Sequence, residues 1–371
     1  MKKIVGLMAL VLIPFLTLLG GCGPGDNKLP FTGSVTTIAG MAPASGVADG
    51  SGTLARFNFP TGITWSGTTL YIADSSNDTI RKIDLSASGI PVTTIAGAAR
   101  FPGSDDGPGA TARFFNPSGI TTDGIDVYVA DTFNHTIRKL DVSASGVPVT
   151  TFAGTAGLPS ADNGTGTAAR FNAPFAIVRS GINLYVADTI NHTIRKIDTT
   201  NGVVTTIAGA AGSSGSLDDP VGTTARFNSP SGITTDGFSL YVADTGNHTI
   251  RQIDISVSGI SPVTTIAGNT LALSPAPGSA DGIDSGARFN SPIGIVRDGA
   301  NLYVADSGNH TIRQIVIATH VVTTLAGTAG SSGSTDGTKA AARFQNPSGI
   351  TTDGTSLYVT DTGNHTIRKI Q

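Results

Sequence analysis

Apolar residues along this chain come in short runs, each closed by Gly, Asp, Asn, Ser or Thr. The stretch from Pro230 to Gly268 shows the pattern. Ser231–Thr235 reads as a first strand, and Asp236-Gly237 as a turn. Leu240 to Ala243 is an uninterrupted apolar run, short enough for a strand buried on both faces. Asp244-Thr245-Gly246-Asn247 predicts a tight hairpin turn. His248–Asp254 reads as a third strand, Ser258-Gly259 opens another turn, and Val263–Ala267 is a fourth strand. Four antiparallel strands followed by a long connection make one blade of a propeller.

The unit recurs. Leu-Tyr-Val-Ala-Asp, with small changes, falls around Tyr71, Tyr128, Tyr185, Tyr241, Tyr303 and Tyr358, at intervals of 57, 57, 56, 62 and 55 residues by subtraction. Ala-Arg-Phe precedes it at Arg56, Arg113, Arg170, Arg226, Arg288 and Arg343. Thr-Ile-Ala-Gly-like segments end at Gly40, Gly97, Gly154, Gly209, Gly268 and Gly327. The first element is a lone fourth strand, Val35–Ala39, and the last copy stops after its third strand at Gln371. Each end lacks what the other holds, so a closed circle is predicted, and closure removes the exposed edges that invite aggregation. The expected fold is all-β: a six-bladed β-propeller over residues 35–371, four antiparallel strands per blade, with the N-terminal strand completing the last blade.

Residues 1–21 read as a processing segment. Lys2 and Lys3 precede an uncharged run from Ile4 to Leu19, shorter than the roughly 20 residues a membrane-spanning helix needs. Charge, a short apolar stretch and then small residues is the secretory signal pattern. The end of that run, Leu19-Gly20-Gly21-Cys22, resembles the bacterial lipobox. That resemblance implies cleavage before Cys22 and a lipid on its thiol, with residues 22–34 as a tether. Cys22 is the single cysteine, so no disulfide can form within the chain. The expected location is an exported, lipid-anchored position in a bacterial envelope. Gly23, rather than Asp, follows the cysteine, which favours the outer membrane in a diderm host.

Composition agrees with the strands. The chain holds 48 Gly and 19 Pro, only 13% of its residues are charged, and every acidic residue is Asp. Without Glu, and rich in residues that disfavour helix interiors, it has little to build long helices from. The formal net charge of −3 supplies no basic excess to neutralise a phosphate backbone, and no nucleic-acid partner is expected.

Five copies of the second turn and third strand read Asn-His-Thr-Ile-Arg, beginning at Asn134, Asn191, Asn247, Asn309 and Asn364; the first copy has Asn77-Asp78. With Tyr-Val-Ala-Asp before and Thr-Ile-Ala-Gly after, the repeat resembles the NHL repeat over residues 35–371. It is similar to the NHL domain of teneurins and to repeats of bacterial lipoproteins. The resemblance implies a six-bladed propeller but no single function, since relatives include RNA-binding, sensor and lyase domains.

Four features could carry chemistry. The histidines His135, His192, His248, His310 and His365 suggest a metal ring. With strands about 4.8 Å apart and a channel of about 7 Å radius, however, neighbours on that ring stand about 14 Å apart. The alternative is that Asn and His close the hairpin turn by hydrogen bonds. Asp49, Asp106, Asn163, Asp219, Asp281 and Asp336 lie seven residues before the Ala-Arg-Phe arginines. They suggest either a Ca²⁺ loop or a structural pair in which Arg pins the loop to its Asp or to carbonyls. Strand one, lining the channel, offers only Arg179 and Arg297 as charges and no evident base.

Asymmetry is the fourth feature. The turn slot held by Gly246, Gly308 and Gly363 holds Phe133 and Ile190 in blades two and three, near Phe115 and Phe175 in the connections. These residues suggest an apolar partner site. His320 also departs from the repeat. The reading favoured is a monomeric envelope-anchored module binding protein or glycan, with no cofactor expected beyond a Ca²⁺ alternative. A metal-dependent lyase or hydrolase competes with it.

Overall fold

The computed structural model describes residues 31–257, 259–269 and 276–371; Cys22 and the processing segment lie outside the described residues. The polypeptide from Phe31 to Gln371 forms one unit of six antiparallel sheets, the blades of a propeller. Blade four is representative, with strands Pro230–Thr235, Ser239–Asp244, Thr249–Asp254 and Val263–Ala267 running from the axis outward. Four blades gain a two-residue fifth strand at the rim from the incoming connection, such as Gly50–Ser51 on the outer strand Pro91–Ala96 of blade one.

The ring closes through its ends. Ser34–Gly40 pairs antiparallel with Thr366–Ile370, Val35 opposite Ile370 and Thr36 opposite Lys369, and so supplies the outer strand of blade six. Phe31 to Ser34, read above as the end of the tether, pack with the propeller. The Phe31 ring meets Tyr303 edge-on at 5.1 Å, and Ser34 opens the closing strand.

The second strand is apolar throughout because it faces a core on each side. In blade one, Leu70 and Ile72 point into the core shared with blade six, while Tyr71 and Ala73 point into the core shared with blade two. Each inter-blade core also takes the Phe of Ala-Arg-Phe, as with Phe57 and Phe114.

The axis is narrower than the 7 Å radius assumed from sequence. Gly62, Gly119, Ala176, Gly232, Gly294 and Gly349 converge there. A Cβ at Gly62 would overlap the carbonyl oxygen of Ser118, and one at Gly294 that of Ser348. The inner strands therefore meet backbone to backbone. What remains is a waist with cavities of about 50 Å³ on one side and 80 Å³ on the other.

Candidate functional site

The repeat motifs converge on a buried polar knot in every blade. In blade one, Asp74 ends the second strand. Its Oδ1 accepts the Asn58 backbone N–H at 2.7 Å, and its Oδ2 accepts the Asn77 amide and the Arg81 guanidinium, each at 2.8 Å. Arg81 also donates to the carbonyls of Arg56 and Ala48 and to Asp49 at 2.8 Å, over the face of Phe57. The equivalent arginines Arg138, Arg195, Arg251, Arg313 and Arg368 are likewise fully buried. Burial pushes the carboxyls of Asp74, Asp131, Asp188, Asp244, Asp306 and Asp361 up to about 6, against the pull of the arginine, amide and backbone donors. They are ionised at neutral pH and held by their partners, as buried charges must be.

This knot corrects the predicted Asp–Arg pairing. Asp49, Asp106, Asn163, Asp281 and Asp336 bind the buried third-strand arginine, not the arginine of Ala-Arg-Phe seven residues on. In blade four the partner is Asp218, at 2.6 Å from Arg251, rather than Asp219; Asp219 turns back to the Val221 N–H. The same acids accept from the outer strand, as Asp49 does from the N–H and hydroxyl of Thr94, and so sew the incoming connection to its blade. Five of the Ala-Arg-Phe arginines take carbonyls instead, and Arg113 lies over the Phe101 ring. Arg56 caps the short helical turn Gly52–Leu54 through the carbonyls of Thr53, Leu54 and Ala55, and Arg113, Arg170, Arg226, Arg288 and Arg343 hold the same motif position.

The histidines do different work from the turn closure expected of them. Each occupies a left-handed position at the end of its turn and reaches into the next blade. Nδ1 of His135, His192, His248, His310 and His365 accepts the backbone N–H of Ala173, Ser229, Ser291, Asn346 and Phe59 at 2.9 to 3.2 Å. Asp78 does the same for Asn116 at 2.8 Å. The six receiving residues are themselves left-handed, with φ between 48° and 52°, a conformation costly for residues with a Cβ. An accepting Nδ1 is unprotonated, and burial lowers the pKa of His135, His192, His248 and His365. Asn134, Asn191, Asn247, Asn309 and Asn364 close the turns, each bonding its blade's buried Asp at 2.7 Å. Among the described residues, no three His, Cys, Asp or Glu side chains gather closely enough to hold a metal ion. His320 pairs with Asp284 at 2.7 Å at the rim.

What distinguishes blades two and three lies on one face. Phe115, Phe133 and Ile190 are 41%, 50% and 52% exposed. The Phe115 and Phe133 rings meet edge-on at 5.1 Å, and the Phe133 N–H donates to the Phe115 carbonyl. Thr132 donates its hydroxyl to the carbonyl of Pro174 at 2.8 Å, which brings the Phe133 turn against the segment carrying Phe175. Phe175 lines the axial depression on this face. Ile190 bonds the Asn172 carbonyl two residues before that same segment. Phe59, 48% exposed and edge-on to His365 at 4.7 Å, extends the apolar character into blade one and was not singled out by the repeat comparison.

Comparison with known proteins agrees with this architecture. The NHL repeat profile matches residues 344–370. NHL repeat-containing protein 2 of Homo sapiens is 30% identical over 294 residues, covering 72% of this chain and 40% of that protein; the chain thus spans about two-fifths of that relative. Among solved structures, an auxiliary nutrient binding protein from Bacteroides ovatus is similar with a TM-score of 0.68 at 19% identity, covering 92% of this chain and 77% of that one. A virginiamycin B lyase from Staphylococcus aureus is similar with a TM-score of 0.52 at 14% identity, covering 91% and 98%. At these identities the structural likeness is one of fold.

Proposed function

From the premise that this chain is a six-bladed propeller of NHL repeats, we propose that it is a lipid-anchored binding module of the bacterial envelope. In this reading it captures a protein through the face carrying Phe115, Phe133, Phe175 and Ile190. The observation that carries the proposal is the exposed Phe115–Phe133 pair beside Ile190, in slots where the other blades hold Asn or Gln and Ser or Gly. Exposed aromatic clusters at the centre of a face are the anchors from which interfaces draw most of their energy. The axial strands support a binding role over a catalytic one, because the converging positions are five glycines and an alanine and offer no acid or base to a substrate. The Bacteroides ovatus protein of similar fold is named as an auxiliary nutrient binding protein.

The test is capture from solubilised envelope by the full chain against a variant carrying Phe133→Gly and Ile190→Gly. Gly is native to both slots in blades four to six, so the melting temperature should hold. Loss of two anchors lowers capture by at least about tenfold. Capture unchanged, with melting unchanged, removes this face from the account. The anchor is tested separately, by Cys22→Ala releasing the protein from the membrane fraction.

A further inference from the structure

On the opposite face, the turn between strands one and two reads Thr-Thr-Asp-Gly in blades two, four and six, placing Asp123, Asp236 and Asp353 at its corner. The end of the first strand in the following blade faces each of these acids. In two cases that position is arginine: Arg179 stands 4.0 Å from Asp123, and the Arg297 charge helps hold Asp236 ionised. In the third it is Trp65, the only tryptophan in the chain. Asp353 therefore has an indole where its two counterparts have a cation.

A cleft of about 260 Å³ lies between blades six and one, lined by Trp65, Thr68, Ser86, Asp353, Thr355 and Tyr358, with Trp65 partly buried against the core beneath it. Asp353 is fixed in place. Oδ1 accepts from the backbone N–H groups of Thr355 and Ser356 and from the Thr355 hydroxyl, each at 2.7 Å, and Oδ2 accepts from the Tyr358 hydroxyl at 2.9 Å. Burial raises its pKa, but these donors more than offset that and keep the carboxyl below its ordinary range. With three bonds on Oδ1 and one on Oδ2, the carboxylate keeps acceptor capacity on Oδ2. Among the described residues, the Trp65 indole N–H has no hydrogen-bond partner in the protein.

We propose that this cleft is a binding site for one neutral sugar residue, with the indole of Trp65 as the apolar platform and Asp353 accepting from ring hydroxyls. Three observations select that chemistry. An aromatic face beside fixed acceptors suits a ligand with C–H bonds on one side and hydroxyls at its edge. A carboxylate with no cation in the lining rejects anions, so uronic acids and phosphorylated sugars are disfavoured. The volume falls below the roughly 300–1,000 Å³ of drug-sized sites, which limits occupancy to a single residue, such as the end of a glycan. The site is distinct from the apolar face and stands or falls without it.

Trp65 reports on its own site, because no other tryptophan contributes emission. The full chain is titrated with glucose, galactose, mannose and N-acetylglucosamine, and with glucuronate as the anionic control, while tryptophan emission is followed. A saturable shift with at least one neutral sugar, in the millimolar range, is expected. It should weaken at least tenfold for glucuronate and in Asp353→Asn, and persist unchanged in the Phe133→Gly, Ile190→Gly variant. Trp65→Arg rebuilds the pair seen at Asp123 and Asp236, so it should fold as stably as the parent and lose sugar binding measured by calorimetry. No shift with any neutral sugar, or a full shift retained in Asp353→Asn, overturns the proposal, as does glucuronate binding as tightly as glucose.

Discussion

Arg138→Met puts the polar knot to its sharpest test. Methionine matches the apolar stem of arginine but stops short of the guanidinium, so the change removes the charge, the donors and the group over the Phe114 face. Arg138 gives up bonds to Asp131 at 2.8 Å, to Asp106 at 2.7 Å and to the carbonyls of Arg113 and Asp105. Asp131, wholly buried, retains the Asn134 amide and the Phe115 N–H but loses the Arg138 cation. Breaking a buried pair from one side costs about 3–5 kcal/mol, against a total stability of roughly 5–15 kcal/mol. The variant should therefore fold, with a much lower urea midpoint at unchanged m-value.

The cost should also depend on pH, and the sign can be worked out. The folded pKa of Asp131 is already pushed up to about 6, above its unfolded value, so the native state takes up the proton first and stability rises as pH falls toward that of a free carboxyl. Without Arg138 the folded pKa climbs further. Between about pH 8 and about pH 6 the variant gains stability on acidification at up to about 1.4 kcal/mol per unit, while the parent gains less. The penalty is thus largest at about pH 8. Adding Asp131→Asn to Arg138→Met removes the orphaned charge and should recover at least half the loss at about pH 8. A cost below about 1 kcal/mol, a cost flat with pH, or a double variant worse than the single would refute the assignment of the knot as a compensated buried charge.

Two further predictions concern the ring itself. His365→Ala breaks the clasp that ties blade six to Phe59 across the closure. It should lower stability by about 1 kcal/mol, the usual net worth of a hydrogen bond, here to a part-buried donor, whereas His365→Asp, copying the Asp78–Asn116 contact, should restore most of it; equal losses in thermal melts would refute the clasp. Gly294→Ala drives a methyl into the Ser348 carbonyl at the waist. It should cost at least about 2 kcal/mol as an overpacked site, while Ala176→Gly, which reverts the one alanine in that ring to its neighbours' residue, should cost less than half as much in the same denaturation assay.

The blades were legible because strand period and turn chemistry repeat, and repetition marks equivalent positions without ambiguity. The circular closure was legible for the same reason, since Val35–Ala39 supplies the strand missing after Gln371. Contacts between equivalent positions were not. Asp49 and Arg56 sit seven residues apart and looked like partners, yet Asp49 meets Arg81, 32 residues on, because the connection turns back along its own blade. Asp74 and Arg81, also seven apart, are true partners, bridged across a hairpin whose register sets them on one face. Spacing alone does not separate these cases. The narrow waist escaped for a different reason: the glycines were visible in five of the six first strands, but the radius at which six twisted sheets meet is fixed by packing between blades.

Subtracting the six-fold pattern leaves the features that architecture does not require. The Asp–Arg–Asn knot and the His clasp occur in each blade, with Asp78 and Asn163 as single substitutions that keep the same contacts. Uniform features of this kind hold a ring together, and a ligand that meets the molecule at one place cannot depend on all of them. Two of the departures gather large apolar side chains, Phe115 with Phe133 and Ile190 on one face and Trp65 beside Asp353 on the other. In the first, Phe133 and Ile190 stand in a slot that is glycine in blades four to six; in the second, Trp65 stands where blades three and five have arginine. Since the two lie in different blades and on opposite ends of the strands, a substitution in one should leave the other intact. A partner held on the apolar face would leave the sugar cleft open to a second ligand.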